Sequence, residues 1–191
     1  MKSNRVRIIG GGWRSRLIAF PGRQDLRPTP DRVRETLFNW LGQDLTAKSC
    51  LDLFAGSGAL GFEAASRGAR RVTMVEHDGV AFKALQSNCA RLGAGTVELH
   101  RADALEFLHG NRDCYDIIFL DPPFKADYWP RLLLLLPQHM APGAVVYCES
   151  AAQPVLPAGW EVWKKGRAGQ VIFQLLKRTE NEKHGGLSGD V

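Results

Sequence analysis

The spacing of apolar positions changes twice along this chain. In the first segment, RVRIIGGGWRSRLIAFPG, cationic or polar residues alternate with apolar ones around Gly10 to Gly12, which predicts short strands or a β-hairpin. After Pro28 and Pro30 the period lengthens: Val33, Leu37, Phe38 and Leu41 recur at helical spacing up to Gly42, with Asp31 placed to open the first turn. From Ser49 onward, apolar runs alternate with helical stretches. SCLDLFA, RVTMVEH, TVELHRA, YDIIFLDPPF and GAVVYCES read as strands. Helices are expected after the glycine loop to about Arg67, over DGVAFKALQSNCARLG, from Asp103 to His109, and around Leu132 to Leu136. WEVWKKGR and QVIFQLLKR, separated by Ala168 and Gly169, read as a closing hairpin. Such alternation predicts an α/β fold, a mostly parallel seven-stranded sheet covered on both faces and ending in an antiparallel hairpin. The expected organisation is a basic N-terminal hairpin extension over 1–27, one domain over 28–178, and a disordered polar tail over 179–191.

Composition narrows the function classes. With 191 residues, 45% hydrophobic and 24% charged, the chain has the make-up of one soluble domain. Its N-terminus shows no apolar stretch of signal-peptide length, and the longest apolar run, Leu132 to Leu136, is far too short to span a bilayer, so a cytoplasmic location is expected. Cys50, Cys89, Cys114 and Cys148 form no C-x-x-C pair, and the five histidines no metal-ligand spacing, which leaves metal catalysis without support. Charge is unevenly placed: the net +5 gathers in the first 40 residues, where nine cations, seven of them arginines before Arg34, face three acids. Arginines interleaved with Trp13 and Phe20 suit a polyanion surface, and a solvated basic terminus fits the charge count equally well.

The loop LDLFAGSGALG places Gly56, Gly58 and Gly61 as G-x-G-x-x-G between a first strand and a helix. A dinucleotide enzyme seats a pyrophosphate there, and Glu76, at the end of the second strand, stands at the spacing of a ribose-binding acid. Asp52, four residues before Gly56, is awkward beside a pyrophosphate and better suited to a cationic ligand. S-adenosylmethionine is one, with a sulfonium, an ammonium, a ribose diol and an adenine. Glu76 would then take the diol and Asp103 the adenine amine, although Asp103 taken singly is equally a helix N-cap.

The fourth strand ends in D-P-P-F, Asp121 to Phe124. Two prolines terminate a strand by themselves. They do not explain an acid and an aromatic beside them. If Asp121 and the carbonyl of Pro122 accept the two N–H groups of a nucleobase amine, its lone pair is freed toward an activated methyl. Pro123 helps to hold that carbonyl rigid, and Phe124 offers a face to a flipped-out base.

Taken together, LDLFAGSGALG, VEHD, RADA and DPPF resemble the Rossmann-like class I S-adenosylmethionine-dependent amino-methyltransferases. The segment RIIGGGWRSRLIAFPG followed by LRPTPDRVRETLFNWL is similar to the RsmD family, the bacterial guanine-N2 methyltransferases of small-subunit (16S) ribosomal RNA, over roughly residues 5 to 178. This resemblance implies cofactor contacts from Asp52, Phe54, Gly56, Gly58, Glu76, His77, Asp103 and Ala104, with Thr29 and Arg32 in a segment closing over the site. It implies catalysis by Asp121, Pro122, Pro123 and Phe124. RNA would be held by Arg5, Arg7, Trp13, Arg14, Arg16 and Arg34. The implied partner is ribosomal RNA in an assembled or assembling 30S particle; a monomer is expected. D-P-P-F alone is shared with DNA adenine and protein glutamine methylases, which with a nicotinamide oxidoreductase form the alternatives.

Overall fold

The computed structural model describes residues 3–22, 28–122, 128–150 and 154–179. The chain opens with an antiparallel hairpin, β1 (Ser3–Arg7) and β2 (Leu17–Pro21), joined through a short 3-10 turn at Gly11–Trp13. Helix α1 (Asp31–Leu41) follows; Pro30 is its cap, so Asp31 is its first helical residue. Then come β3 (Ser49–Asp52), α2 (Ala59–Ser66), β4 (Arg71–Val75), α3 (Gly79–Leu92), β5 (Val97–His100), α4 (Ala104–Gly110) and β6 (Tyr115–Leu120). Helix α5 (Trp129–Leu135), β7 (Met140–Ser150), β8 (Trp160–Ala168) and β9 (Val171–Arg178) complete the described chain. Every expected strand and helix is present, with ends shifted by a few residues.

The main sheet has seven strands in the order β5-β4-β3-β6-β7-β9-β8. Neighbours are parallel from β5 through β7, while β9 is antiparallel to both β7 and β8. The chain steps outward from β3 to β4 and β5, then crosses back to β6 on the other side of β3. Strand order therefore reverses between β3 and β6, and the carboxyl ends of those two strands bound the crevice where open α/β sheets hold ligands. Asp52 ends β3, and Asp121 follows directly on β6.

Two apolar layers cover the sheet. One packs Cys50, Val72, Phe119 and Tyr147 under α1, α2, α3 and the hairpin, and the other packs Leu51, Ile118 and Val146 under α4 and α5. Alternation along each strand thus decides which layer a residue joins. The N-terminal hairpin does not stand free: Val6, Ile8, Ile18 and Phe20 belong to the first layer. Phe20, expected among the arginines of an RNA-binding surface, is a core residue at 3% exposure.

Helix α2 shows why the hairpin docks. All eight of its residues are buried, because the sheet covers one side and the hairpin the other. Its one acid, Glu63, is fully buried and is matched inside: Oε2 accepts from Ile9 N–H at 2.9 Å and Arg34 Nη1 at 3.1 Å, and Oε1 from Arg67 Nη2 at 2.8 Å. Arg34 was expected on RNA, and here the structure corrects the expectation. Its side chain is fully buried and also donates to Arg7 O (2.9 Å), Thr29 O (3.1 Å) and Asp31 Oδ1 (2.6 Å), so it ties α1 to the hairpin and to α2.

Candidate active site

The glycine loop is shaped chiefly by the protein's own packing. Gly56 and Gly58 have φ of 49° and 79°, a left-handed conformation that glycine enters without steric cost. A Cβ on Gly58 would lie 2.6 Å from Phe62 and 2.7 Å from Leu85, so the α2–α3 contact, together with the positive φ, favours glycine there whatever the loop holds. Gly58 also caps α2, its carbonyl accepting from Phe62 N–H at 2.9 Å.

The acids at the strand ends then fix this loop. Asp52 is buried, and its Oδ2 accepts from Gly61 N–H in the first turn of α2 at 2.9 Å. Burial pushes its carboxyl up to about 7, partly relieved by that amide, and nearby Glu76 raises it further. Glu76 clasps the loop to the second parallel strand: Oε2 accepts from Gly56 N–H at 2.8 Å and Oε1 from Asp78 N–H at 2.7 Å. His77 is exposed, with Nδ1 3.3 Å from Glu76 Oε1. Asp103 caps α4, its Oδ1 accepting from Leu105 N–H (2.8 Å) and Glu106 N–H (3.3 Å), and Ala104 is buried behind it. The N-cap role of Asp103 is thus real, and it engages Oδ1. Phe54 is half-buried, edge-on to Tyr128 with ring centroids 5.2 Å apart.

Asp121 stands across the switch point from Asp52. Burial raises its carboxyl well above the ordinary aspartate range, and the charges of Glu149 and Asp52 raise it further. Pro122 is buried beside it, whereas Pro123 and Phe124 lie outside the described residues. Glu149, next to last in β7, is the member that sequence reasoning missed. Its Oε1 accepts from Thr29 Oγ1 at 2.6 Å and from Tyr147 Oη at 2.9 Å, and burial raises its carboxyl too. An acid at the carboxyl end of a parallel strand was the available signal, the same one that marked Asp52, Glu76 and Asp121. Thr29 is buried and joined to this group through Glu149, while Arg32 is exposed on the first helix. Asp52, Asp121 and Glu149 occupy one face of three adjacent strands, and among the described residues the groups acting on them are other acids, hydroxyls and a backbone amide. Such a donor set fits a ligand with positive charge and N–H groups, and is ill suited to a pyrophosphate.

The N-terminal cations are spread over the height of the domain. Trp13 N–H donates to Ser66 Oγ (2.9 Å) at the far end of α2, and Arg16 reaches the carbonyl of Leu92 (3.5 Å) at the far end of α3. Trp13, Arg14 and Arg16 therefore sit near the amino edge of the sheet, one helix length from its carboxyl edge: about 12 Å along α2 and about 20 Å along α3. Arg5 and Arg7 lie farther up the hairpin and are exposed, Arg7 pairing with Asp31 at 3.3 Å.

A seven-stranded sheet of this order, with a glycine loop and an acidic carboxyl edge at its switch point, is the Rossmann-like class I methyltransferase fold. The family model described as "Conserved hypothetical protein 95" matches residues 6–177, and the chain belongs to that family. It is 42% identical over 181 residues to "Ribosomal RNA small subunit methyltransferase D" of Escherichia coli (strain K12), covering 92% of this chain and 91% of the relative. A protein of the same name from Haemophilus influenzae is 39% identical over 180 residues, 90% of this chain and 93% of that one. Among solved structures, a putative methyltransferase from Escherichia coli superposes with a TM-score of 0.83 at 43% identity, covering 92% of this chain and 98% of the other. The resemblance to the RsmD family is borne out.

Proposed function

We propose that this chain transfers a methyl group from S-adenosylmethionine to the exocyclic N2 amine of a guanine in small-subunit ribosomal RNA. The carrying observation is the group of acids, Asp52, Asp121 and Glu149, gathered at the carboxyl edge beside a glycine loop, with no cationic side chain acting on them among the described residues. A cationic cofactor supplies what that edge lacks. S-adenosylmethionine, when bound, brings a methyl group already activated by positive sulfur, so the chain's task is alignment.

Each residue then has a task. Asp52 and the loop it braces face the cationic end, Glu76 and the exposed His77 the ribose, Asp103 and Ala104 the adenine, and Phe54 packs against the bound nucleoside. Asp121 and the Pro122 carbonyl accept the two N–H groups of the amine and hold its nitrogen in line with the methyl. The proton lost by that nitrogen passes to a carboxylate oxygen of Asp121, whose surroundings make it a stronger base than an exposed aspartate. Phe124 stacks on the extruded base, and Pro123 stiffens the acceptor backbone. Thr29, fastened to Glu149, and Arg32 border the site on the α1 side. Arg5, Arg7, Arg14 and Arg16 bind ribosomal RNA phosphates, with Trp13 among them.

Relatives named as ribosomal RNA small subunit methyltransferases support the choice of RNA over DNA or protein. We take the working substrate to be an assembled or assembling 30S particle, the enzyme a cytoplasmic monomer, and residues 1–27 its RNA-binding extension. No helix among the described residues is long and apolar enough to cross a membrane. The test is methylation of small subunits taken from a strain that lacks the modification. Tritium from labelled cofactor should appear in 16S RNA as N2-methylguanine at a single position; label in another base, or in protein, refutes the reading.

A further inference from the structure

A second concentration of positive charge lies at the other end of the chain. Residues 160–178, the β8–β9 hairpin, hold five cations (Lys164, Lys165, Arg167, Lys177 and Arg178) against one acid, Glu161. Acids elsewhere cancel this excess in the net count, and the fold displays it on one hairpin.

The charge is displayed on a sheet edge, since β8 has β9 on one side alone. Pairing shifts register between Val162 and Lys164, a bulge that re-aims a side chain outward. Trp163 emerges there 43% exposed, with Lys177 Nζ 3.5 Å and Lys164 Nζ 4.5 Å from its ring centroid. Lys165 and Arg167 are exposed farther along. Because β8 runs antiparallel to β9, and β9 to β7, the strand ends at the catalytic edge: Arg167 pairs with Ile172, which pairs with Ser150 at the end of β7. Three strand spacings, about 14 Å, separate β8 from β6.

Lysines on an edge strand also discourage sheet-to-sheet pairing. That purpose calls for neither an outward indole between two ammonium groups nor a guanidinium at the catalytic edge. An aromatic face among cations is the composition that holds single-stranded nucleic acid, phosphates on the cations and a base or ribose on the ring. The N-terminal arginines around Trp13 stand toward the opposite edge of the sheet. Arg5 and Arg7 are nearer the catalytic edge, and their hairpin is tied to Asn88 of α3 on the β4–β5 side of the sheet, which leaves the β8 side to the cations of the C-terminal hairpin.

Resting on the reading that small-subunit RNA is the substrate, we infer that the edge strand β8 is a second RNA-contacting surface, in which Trp163, Lys165, Arg167 and Lys177 hold the strand flanking the target nucleotide.

Two full-length variants test it: Lys165→Gln with Arg167→Gln, and Trp163→Ala. Each is assayed for methylation of small subunits, for binding of protein-free 16S RNA across a salt series, and for S-adenosylmethionine affinity by calorimetry. The double variant should raise KM for subunits roughly tenfold and flatten the logarithmic salt dependence of RNA binding by about two units, with cofactor affinity unchanged. Trp163→Ala should raise KM while leaving the salt slope nearly as it was. Unchanged KM and slope, with or without more aggregation, overturn the inference and leave edge protection as the role. Loss of affinity for subunits but not for protein-free RNA also overturns it, in favour of a ribosomal protein. The unaltered enzyme is the control: if it fails to methylate the same subunits, the functional reading itself falls.

Discussion

Two groups of buried charges lie on the same face of the sheet and are built from the same residue types. Around Glu63, each carboxylate oxygen meets a guanidinium, from Arg34 at 3.1 Å or Arg67 at 2.8 Å, and Arg34 spends its remaining donors on backbone carbonyls and Asp31. At the carboxyl edge, Asp52, Asp121 and Glu149 face one another, and each is held above its ordinary range by burial first. The first group is complete without any ligand. Among the described residues the second has no cationic side chain, and carboxyls crowded in a poorly solvated place keep their charge only beside a cation and otherwise take up protons. Charge types alone do not separate structure from function here; the balance of charge does.

This contrast breaks most severely at Glu63. Glu63→Ala leaves two buried guanidinium groups without their carboxylate and frees Ile9 N–H, so urea unfolding should show a loss of about 3–5 kcal/mol. A loss under 1 kcal/mol would mean that the pair is not the clasp between hairpin and helices.

At Asp52 the same removal of charge should act in the opposite direction. Its carboxyl stays protonated in the folded protein up to about pH 7, well above the ordinary aspartate range. The stability this lends is fully present below about pH 4 and lost as pH rises through 7, where the fold must carry a buried charge. Asp52→Asn, which keeps an acceptor for Gly61 N–H, should therefore gain roughly 2–4 kcal/mol over the parent at pH 8 and nearly nothing at pH 4. Equal gains at both pH values would show that the carboxyl is not titrating in the fold.

Ligand binding sharpens the comparison further. If the acidic edge exists for a cation, affinity of the parent for S-adenosylmethionine should rise about tenfold between pH 6 and pH 8 as Asp52 ionises, and the rise should vanish in Asp52→Asn. Calorimetry at the two pH values measures it.

The smallest effect concerns the arginines. Arg5→Ser should flatten the salt dependence of RNA binding by about one unit. Arg34→Gln should leave that slope unchanged while lowering stability, since its side chain is buried.

What could be read from the sequence follows the range of the interactions involved. Strands, helices and the acids at strand ends were legible because alternation and chain reversal are local, and Asp52, Glu76 and Asp121 fell where the pattern put them. Asp103 was legible as a cap, and its Oδ1 makes those contacts; its use as a ligand acid belongs to the proposed reading. Arg34 was misread because its burial depends on Glu63, 29 residues away on another helix, and on a hairpin folded over both. Gly58 was legible as a glycine position, but the part that Phe62 and Leu85 play in excluding a side chain there comes from packing between helices that the sequence does not display. Glu149 escaped notice because it looked like the end of an apolar strand, and only its bond to Thr29, 120 residues away, brings it into the site.

The most direct measurement is a paired one on Asp121→Ala: S-adenosylmethionine affinity by calorimetry, and the single-turnover rate of methyl transfer to unmodified small subunits. Loss of the amine's acceptor should cut the rate about 10²–10³-fold or more while cofactor affinity stays within about twofold. An unchanged rate, or a rate that falls only in step with cofactor affinity, would contradict the placement of the reacting amine at the end of β6.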